Sequence, residues 1–333
     1  MQGLRVQSAA GGDGLTFMKR VLAVYFSQTG QLREILDATL APLRRHGEIE
    51  VDVVEIAPPD AYPFPWPALR FFDTFPETIY EDVAPIDPPI EAGKDYDLVV
   101  LAYQVWFLQP SLPVQAFLKS ETAKRVFKDR PVITLCGCRN MWLVAQERVQ
   151  QLVAGFGGRI IDHVVLTDSA HSAFTFYSQP AWLLTGDKGP YFGGLVPAAG
   201  VSSQDIAGCA RFGRAIAAQL PARSRSDTSP MLEGLGAVHV RESLIESEQA
   251  IKRSFRLWGA LIRSAGRPGT APRSLLVGLY VVFLFLVIVT VVPILAIIKA
   301  ILKPLTRGAI GRQRAYFAAP SGESMHLLEQ GEA

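Results

Sequence analysis

Cysteine is scarce: three in 333 residues, at positions 136, 138 and 209. That excludes a disulfide framework. Cys136-Gly137-Cys138 is not a C-x-x-C redox pair, and two ligands are too few for a structural zinc, so no metal site is expected. An excess of either charge is lacking too. Lys plus Arg number 33 against 31 Asp plus Glu, so nothing in the balance attracts nucleic acid. The opening stretch MQGLRVQSAAGGDGLTF has no apolar core of the kind a secretory signal needs. Residues 1–18 are expected as a disordered N-terminal extension, and the domain that follows belongs in a reducing cytoplasm.

What is present is an alternation of strand-like and helix-like segments. Val21–Phe26 is an apolar run fit for a buried strand, followed by Ser27-Gln28-Thr29-Gly30. Leu32, Ile35, Leu36, Leu40 and Leu43 then recur with helical spacing. Strand, polar turn and helix together set an anion at a helix N-terminus, where unpaired amides and the helix dipole favour it. This turn has neither the G-x-G-x-x-G of a dinucleotide fold nor the G-K-[ST] of a P-loop, and no Lys. Hydroxyls and bare amides suit a single terminal phosphate. An ordinary capped strand-to-helix turn has the same look.

Further strands are expected over Ile49–Ile56, Tyr96–Tyr103, Pro131–Cys136 and Arg159–Thr167. Helices are expected over Leu112–Phe127, Met141–Phe156 and Ser203–Leu220, the last capped by Ser203. Five strands alternating with helices predict an α/β, doubly wound, five-stranded parallel sheet over residues 19–222. Its ligands bind beyond the carboxyl ends of the strands. Residues 58–89 and 168–201 read as long irregular insertions rich in Pro, Gly and aromatics. Residues 223–273 read as a linker, Ala222–Pro230, then an amphipathic helix from Leu232 to Ala265 that packs on the domain or forms a helical stalk, with an anionic membrane surface as the alternative partner of its basic second half. From Ser274 to Ile298 no residue is charged. At about 1.5 Å per residue this spans roughly 37 Å, enough for one transmembrane helix. Basic residues flank it on both sides, so the positive-inside rule is nearly silent, and Pro293 would allow the segment to dip in and return. A single C-terminal crossing, with the N-terminal domain in the cytoplasm and a basic mobile tail over 299–333, is the simpler expectation.

The third strand leads into Gln104-Val105-Trp106-Phe107-Leu108, then Pro110 and Pro113. An aromatic platform beside a phosphate turn suits a flat, conjugated, monophosphorylated ring, and flavin mononucleotide (FMN) fits. Trp106 and Phe107 as plain hydrophobic filler is the competing reading. Gly137, Cys138, Arg139 and Asn140 lie at the next strand end, and Arg139 could meet flavin oxygens or the substrate.

The succession resembles the flavodoxin-like fold. Ser27-Gln28-Thr29-Gly30-Gln31 is similar to its phosphate loop. Gln104–Leu108 running into Pro113-Val114-Gln115-Ala116-Phe117-Leu118 is similar to the ring-binding loop of flavodoxin-like quinone reductases. Gln115 stands where Lys is usual, and Leu32 where flavodoxins often have Thr. Tyr62–Trp66, Phe71–Glu77, Tyr103–Ser111, Cys138–Trp142 and Thr185–Gly193 resemble the flavodoxin-like family named for dialkylresorcinol biosynthesis, often labelled condensing enzyme. That resemblance implies a flavin-dependent aromatase acting after a ketosynthase partner. It would convert a dialkylcyclohexanedione to a dialkylresorcinol by loss of a hydride and a proton, with the lipophilic substrate explaining the bilayer segment. His171 and Tyr80 are weak acid–base candidates, with Arg139 a third. An NAD(P)H-dependent quinone reductase and a tethered electron carrier are the alternatives.

Overall fold

The computed structural model describes residues 18–330. Five parallel strands form the sheet: β1 (Lys19–Tyr25), β2 (Ile49–Glu55), β3 (Leu98–Trp106), β5 (Pro131–Cys138) and β6 (Arg159–Thr167). A two-residue β4 (Gln109–Pro110) folds back antiparallel on the end of β3. The order is β2-β1-β3-β5-β6. With β4 set aside this is the flavodoxin-like doubly wound order, whose switch point lies between the first and third strands. Val21–Val24 of β1 and Leu98–Ala102 of β3 are buried, as expected for strands covered on both faces.

Helix α1 (Gln31–Arg44) covers one face and packs on α9 (Ala210–Gln219). Their approach is close: a Cβ at Gly213 would stand 2.0 Å from the Thr39 carbonyl. The segment 58–89 holds two short helices, α2 (Ala68–Asp73) and α3 (Phe75–Tyr80). The helix expected over Leu112–Phe127 is two, α4 (Leu112–Leu118) and α5 (Glu121–Phe127). Ser120 restarts it, its hydroxyl accepting from the Ala123 amide. After α6 (Leu143–Gly155) and β6, the second insertion holds α7 (Ser172–Thr185). The last expected helix divides at Cys209 into α8 (Ser203–Gly208) and α9. Its cap is Ser202, whose hydroxyl accepts from the Asp205 amide, and not Ser203.

Beyond residue 222 the structure departs from the sequence reading. Residues 231–240 do not begin a helix. Gly234 and Gly236 take left-handed φ of 82° and 62°, and Met231, Leu232, Leu235, Ala237, Val238 and Val240 are buried in the main core. The buried Asp162 carboxylate accepts from the Met231 and Leu232 amides at 2.7 and 3.1 Å. The amphipathic helix is α10 (Glu242–Ser264), and it packs on α3 and α6. Then α11 (Ala271–Leu286), a π turn at 287–291 and α12 (Val292–Ala318) form one continuous helical run. Pro293 lacks an amide and crowds the Val289 carbonyl, which accounts for the π turn in front of it. Ala271–Leu295 is long and apolar enough to cross a membrane, with mean hydropathy 3.1. The tail expected to be mobile from residue 299 is helical to Ala318. It then packs on the domain through Phe317, Ala318 and Ser321 and ends in α13 (His326–Glu329).

Candidate functional site

The loops singled out in the sequence meet at the carboxyl ends of β1, β3 and β5. β1 delivers Ser27–Gly30. Gly30 has φ 84° and opens α1 without a side-chain cap. Ser27 Oγ accepts from the Arg33 amide at 3.3 Å, and the Gly30 carbonyl from the Glu34 amide at 3.1 Å. The amides of Thr29, Gly30, Gln31 and Leu32 donate to no other described residue. Four free N–H groups at the positive end of a fourteen-residue helix form an anion cradle.

Neighbouring elements hold the cradle in place. The Gln28 amide faces Gln104 Oε1 at 3.4 Å, and its side chain donates to the Pro63 carbonyl at 2.9 Å. The Gln31 side chain is committed elsewhere, exchanging hydrogen bonds with the backbone of Val201 at 3.2 and 3.1 Å. Gly200 has a left-handed φ of 94°, which favours glycine, and a Cβ there would stand 2.7 Å from Gln31 Nε2. Asp168, which the sequence did not single out, organises this closure. Its buried carboxylate accepts from the Ala170 and Gly200 amides at 2.8 and 2.9 Å and from the Gln179 side chain. Thus residues 168–201 fold onto the cradle.

β5 sets Gly137 in register with Gln104, and a Cβ at 137 would stand 3.2 Å from Leu32 Cδ1. The Cys138 thiol is pushed up by its contact with the Cys136 thiol and by burial, which leaves it unreactive near neutrality. Asn140 is buried. Arg139 donates to Thr175 Oγ1 at 2.8 Å and lies over the Phe176 ring at 4.1 Å. Burial lowers it to about 10, against the opposing pull of Asp168, so it stays cationic at neutral pH. Arg139 therefore ties the 137–142 loop to α7. At its other end α7 meets the 62–66 segment, where the Trp66 amide donates to the Leu183 carbonyl at 2.9 Å and Phe64 packs on Trp182. A helix unseen in the sequence thus bridges two of the site's loops. Phe176 and Tyr177 on it, and Phe192 and Leu195 after it, are exposed.

The Trp106 loop is tighter than expected. Phe107 and Leu108 both have left-handed φ, 47° and 64°, in the turn joining β3 to β4. Such conformations cost a non-glycine residue on the order of 1–3 kcal/mol and persist only where packing enforces them. Trp106 sits among Phe26, Tyr62 and Trp66 at 5.2–6.0 Å between ring centres. Phe107 packs on Phe71 and Phe75. Leu108 lines a cavity of about 360 Å³ with Glu81, Glu147, Arg148, Lys252 and Arg256, a space that none of residues 27–31 or 137–140 reaches. The Phe107 side chain is thus engaged with α2 and α3, and that of Leu108 with the cavity. Val105 pairs with Pro110 in the hairpin. Gln115 is buried and donates to the Pro110 and Thr78 carbonyls at 2.7 and 3.0 Å.

Of the three acid–base candidates, Arg139 is at the β5 end, whereas His171 and Tyr80 lie outside the cradle. His171 caps α7, its Nδ1 accepting from the Ala173 amide at 3.3 Å. Tyr80 lines the cavity beside Leu108 and donates to the Arg256 carbonyl at 2.8 Å.

No family model and no curated protein matches the chain. Among solved structures, a flavoprotein in complex with FMN from Lactobacillus acidophilus is 16% identical with a TM-score of 0.36, covering 44% of this chain and 93% of its own. An archaeal flavodoxin is 10% identical with a TM-score of 0.34, covering 60% and 98%. RosB, with bound 8-demethyl-8-formylriboflavin-5'-phosphate, is 11% identical with a TM-score of 0.33, covering 71% and 87%. The likeness is low in each case, and the fold follows from the strand order itself.

Proposed function

We propose that this chain is an FMN-dependent oxidoreductase that acts on a lipophilic ring substrate at a membrane, with aromatisation of a dialkylcyclohexanedione to a dialkylresorcinol as the specific reaction. The carrying observation is the cradle of four unpartnered amides at Thr29–Leu32, at the switch point of a flavodoxin-ordered sheet. The donor set fits one phosphate: it has neutral amides and two hydroxyls, and Arg33, the cation next in sequence, is engaged with Asp37 and Tyr25. In this reading Gln104 and the Gly137–Asn140 backbone, in register at the ends of β3 and β5, would hold the ring of the cofactor. When bound, FMN would supply the hydride acceptor.

The chain's own residues would do the rest. Arg139, cationic and held by Thr175, offers a positive charge to an enolate oxygen, and the acidity of a 1,3-dione leaves little work for a base. The exposed aromatic rim of Phe176, Tyr177 and Phe192 supports a substrate with alkyl chains. A ketosynthase partner upstream and a bilayer beside the domain complete the reading. The test is anaerobic. Reduction of the flavin by a dialkylcyclohexanedione, with resorcinol formed in equal amount, is the expected result. Reduction by NADPH but not by the dione would assign a quinone reductase instead. Slow reduction by both, with fast electron exchange to a protein, would assign a carrier.

A further inference from the structure

The apolar helix is fastened to one domain at both ends. At its start, Arg273 is almost fully buried between Asp73 and Glu77, donating to Asp73 Oδ1 at 2.5 Å and to Glu77 Oε1 at 2.8 Å. Tyr280 then stacks on Phe75 at 4.6 Å between ring centres. At the far end, Phe317 packs on Trp142. Ser321 is fully buried, donating to Asp162 Oδ1 and accepting from the His163 amide, both at 2.8 Å. The Ser324 carbonyl accepts from the Gly236 amide at 2.7 Å, and the Gly234 carbonyl from the Leu327 amide at 3.2 Å. Residues 317–328 are therefore part of the same folded body as the sheet.

We infer that the apolar helix is a re-entrant membrane anchor, entering the bilayer and returning to the face it entered from. A single crossing would carry residues 317–328 to the opposite face, away from Asp162, His163 and Gly234. The helix also does not run straight. Tyr280 and Arg314 would stand about 51 Å apart in a straight helix, whereas their partners on α10, Trp258 and Glu242, are about 24 Å apart along that helix. The occupant of the exposed face is hydrocarbon. Only 11% of its most apolar window is buried, and Phe285, Val289, Ile294 and Ile297 are each more than half exposed. One charge-free run of this length passes the hydrocarbon core once, and two passes need about forty apolar residues. Lys299, Lys303, Arg307 and Arg312 follow the run, so it reaches partway in and comes back. Both flanks being equally basic, which leaves a single crossing without an orientation, is what two flanks on one anionic surface require.

The full-length chain tests this directly. Arg45→Cys on the sheet domain and Gln330→Cys at the end of the chain are both exposed. Each variant is expressed in bacterial membranes and treated with a membrane-impermeant maleimide, in inverted and in right-side-out vesicles, with the wild type as control. The expected result is labelling of both positions from the same face, in protein that stays in the membrane fraction after a carbonate wash. Labelling from opposite faces would overturn the inference, as would recovery of the wild type in the soluble fraction. The double substitution Val289→Lys and Ile297→Lys is expected to move most of the protein into the soluble fraction with unchanged far-ultraviolet circular dichroism. Full retention of that variant in the membrane would also overturn the assignment.

Discussion

Glu248 on α10 is fully buried, and its removal makes a quantitative prediction about pH. Its Oε2 accepts from the Val144 amide at 3.0 Å, at the start of α6, while Oε1 meets no partner among the described residues. Burial outweighs the α6 amides, and the carboxyl is pushed up to about 7 from an ordinary 4.5. The folded state therefore binds this proton more tightly than the unfolded chain does. The resulting stability is fully present below pH 4.5 and is lost as pH rises through 7. A shift of this size at 1.36 kcal/mol per unit corresponds to about 3 kcal/mol. Glu248→Gln keeps an oxygen for Val144 and carries no charge at any pH. The variant should match the wild type near pH 4.5 and exceed it by up to about 3 kcal/mol at pH 8.5. Urea unfolding of both proteins in mild detergent across that range measures the difference. Asp162, pushed up to about 6 by burial, titrates in the same direction in both proteins and cancels in the comparison. A difference that does not change with pH, or a variant less stable at pH 8.5, would refute the reasoning.

Other substitutions test the remaining contacts. Gly213→Ala forces a methyl group against the Thr39 carbonyl and Pro42, so α1 and α9 must separate; a loss of at least about 1–3 kcal/mol in the same urea assay is expected. Gly30→Val sets a branched side chain at φ 84° beside the amide cradle. It should lower FMN affinity at least tenfold by fluorescence titration, and Thr29→Ala should do so more weakly; unchanged affinity in both would move the phosphate elsewhere. Arg273→Met leaves the Asp73 and Glu77 carboxylates without their shared cation. A loss of about 3–5 kcal/mol is expected, read by unfolding and by protease cleavage near residue 270.

The strands were legible because each is a short apolar run with a clear end, and five such runs alternating with helices admit few topologies. The cradle was legible for the same reason: a strand, a polar turn and a periodic helix follow one another within the span from Val21 to Leu43. What the sequence hid depends on distant partners. Residues 232–240 read as the start of a helix, yet two left-handed glycines turn the chain there and Asp162, some seventy residues earlier, binds the Met231 and Leu232 amides. The basic tail read as mobile because its anchor, Ser321, reaches Asp162 across 159 positions. Helix α7 carries Pro180 and has little amphipathic pattern, so periodicity gave no sign of it. Phe107 looked like part of an open platform with Trp106 because nothing local announces that α2, α3 and α10 close over it.

These long-range ties also govern how the cofactor must be sought. A chain cut at Ala222 would lose Met231, Leu232 and Ser321, leaving the buried Asp162 carboxylate without its donors, so the full chain in mild detergent is the proper sample. The decisive measurement is its visible absorbance spectrum, with the cofactor released by heat and identified. One FMN per chain, or its uptake on titration, is the predicted result. A colourless protein that takes up no FMN would contradict the account.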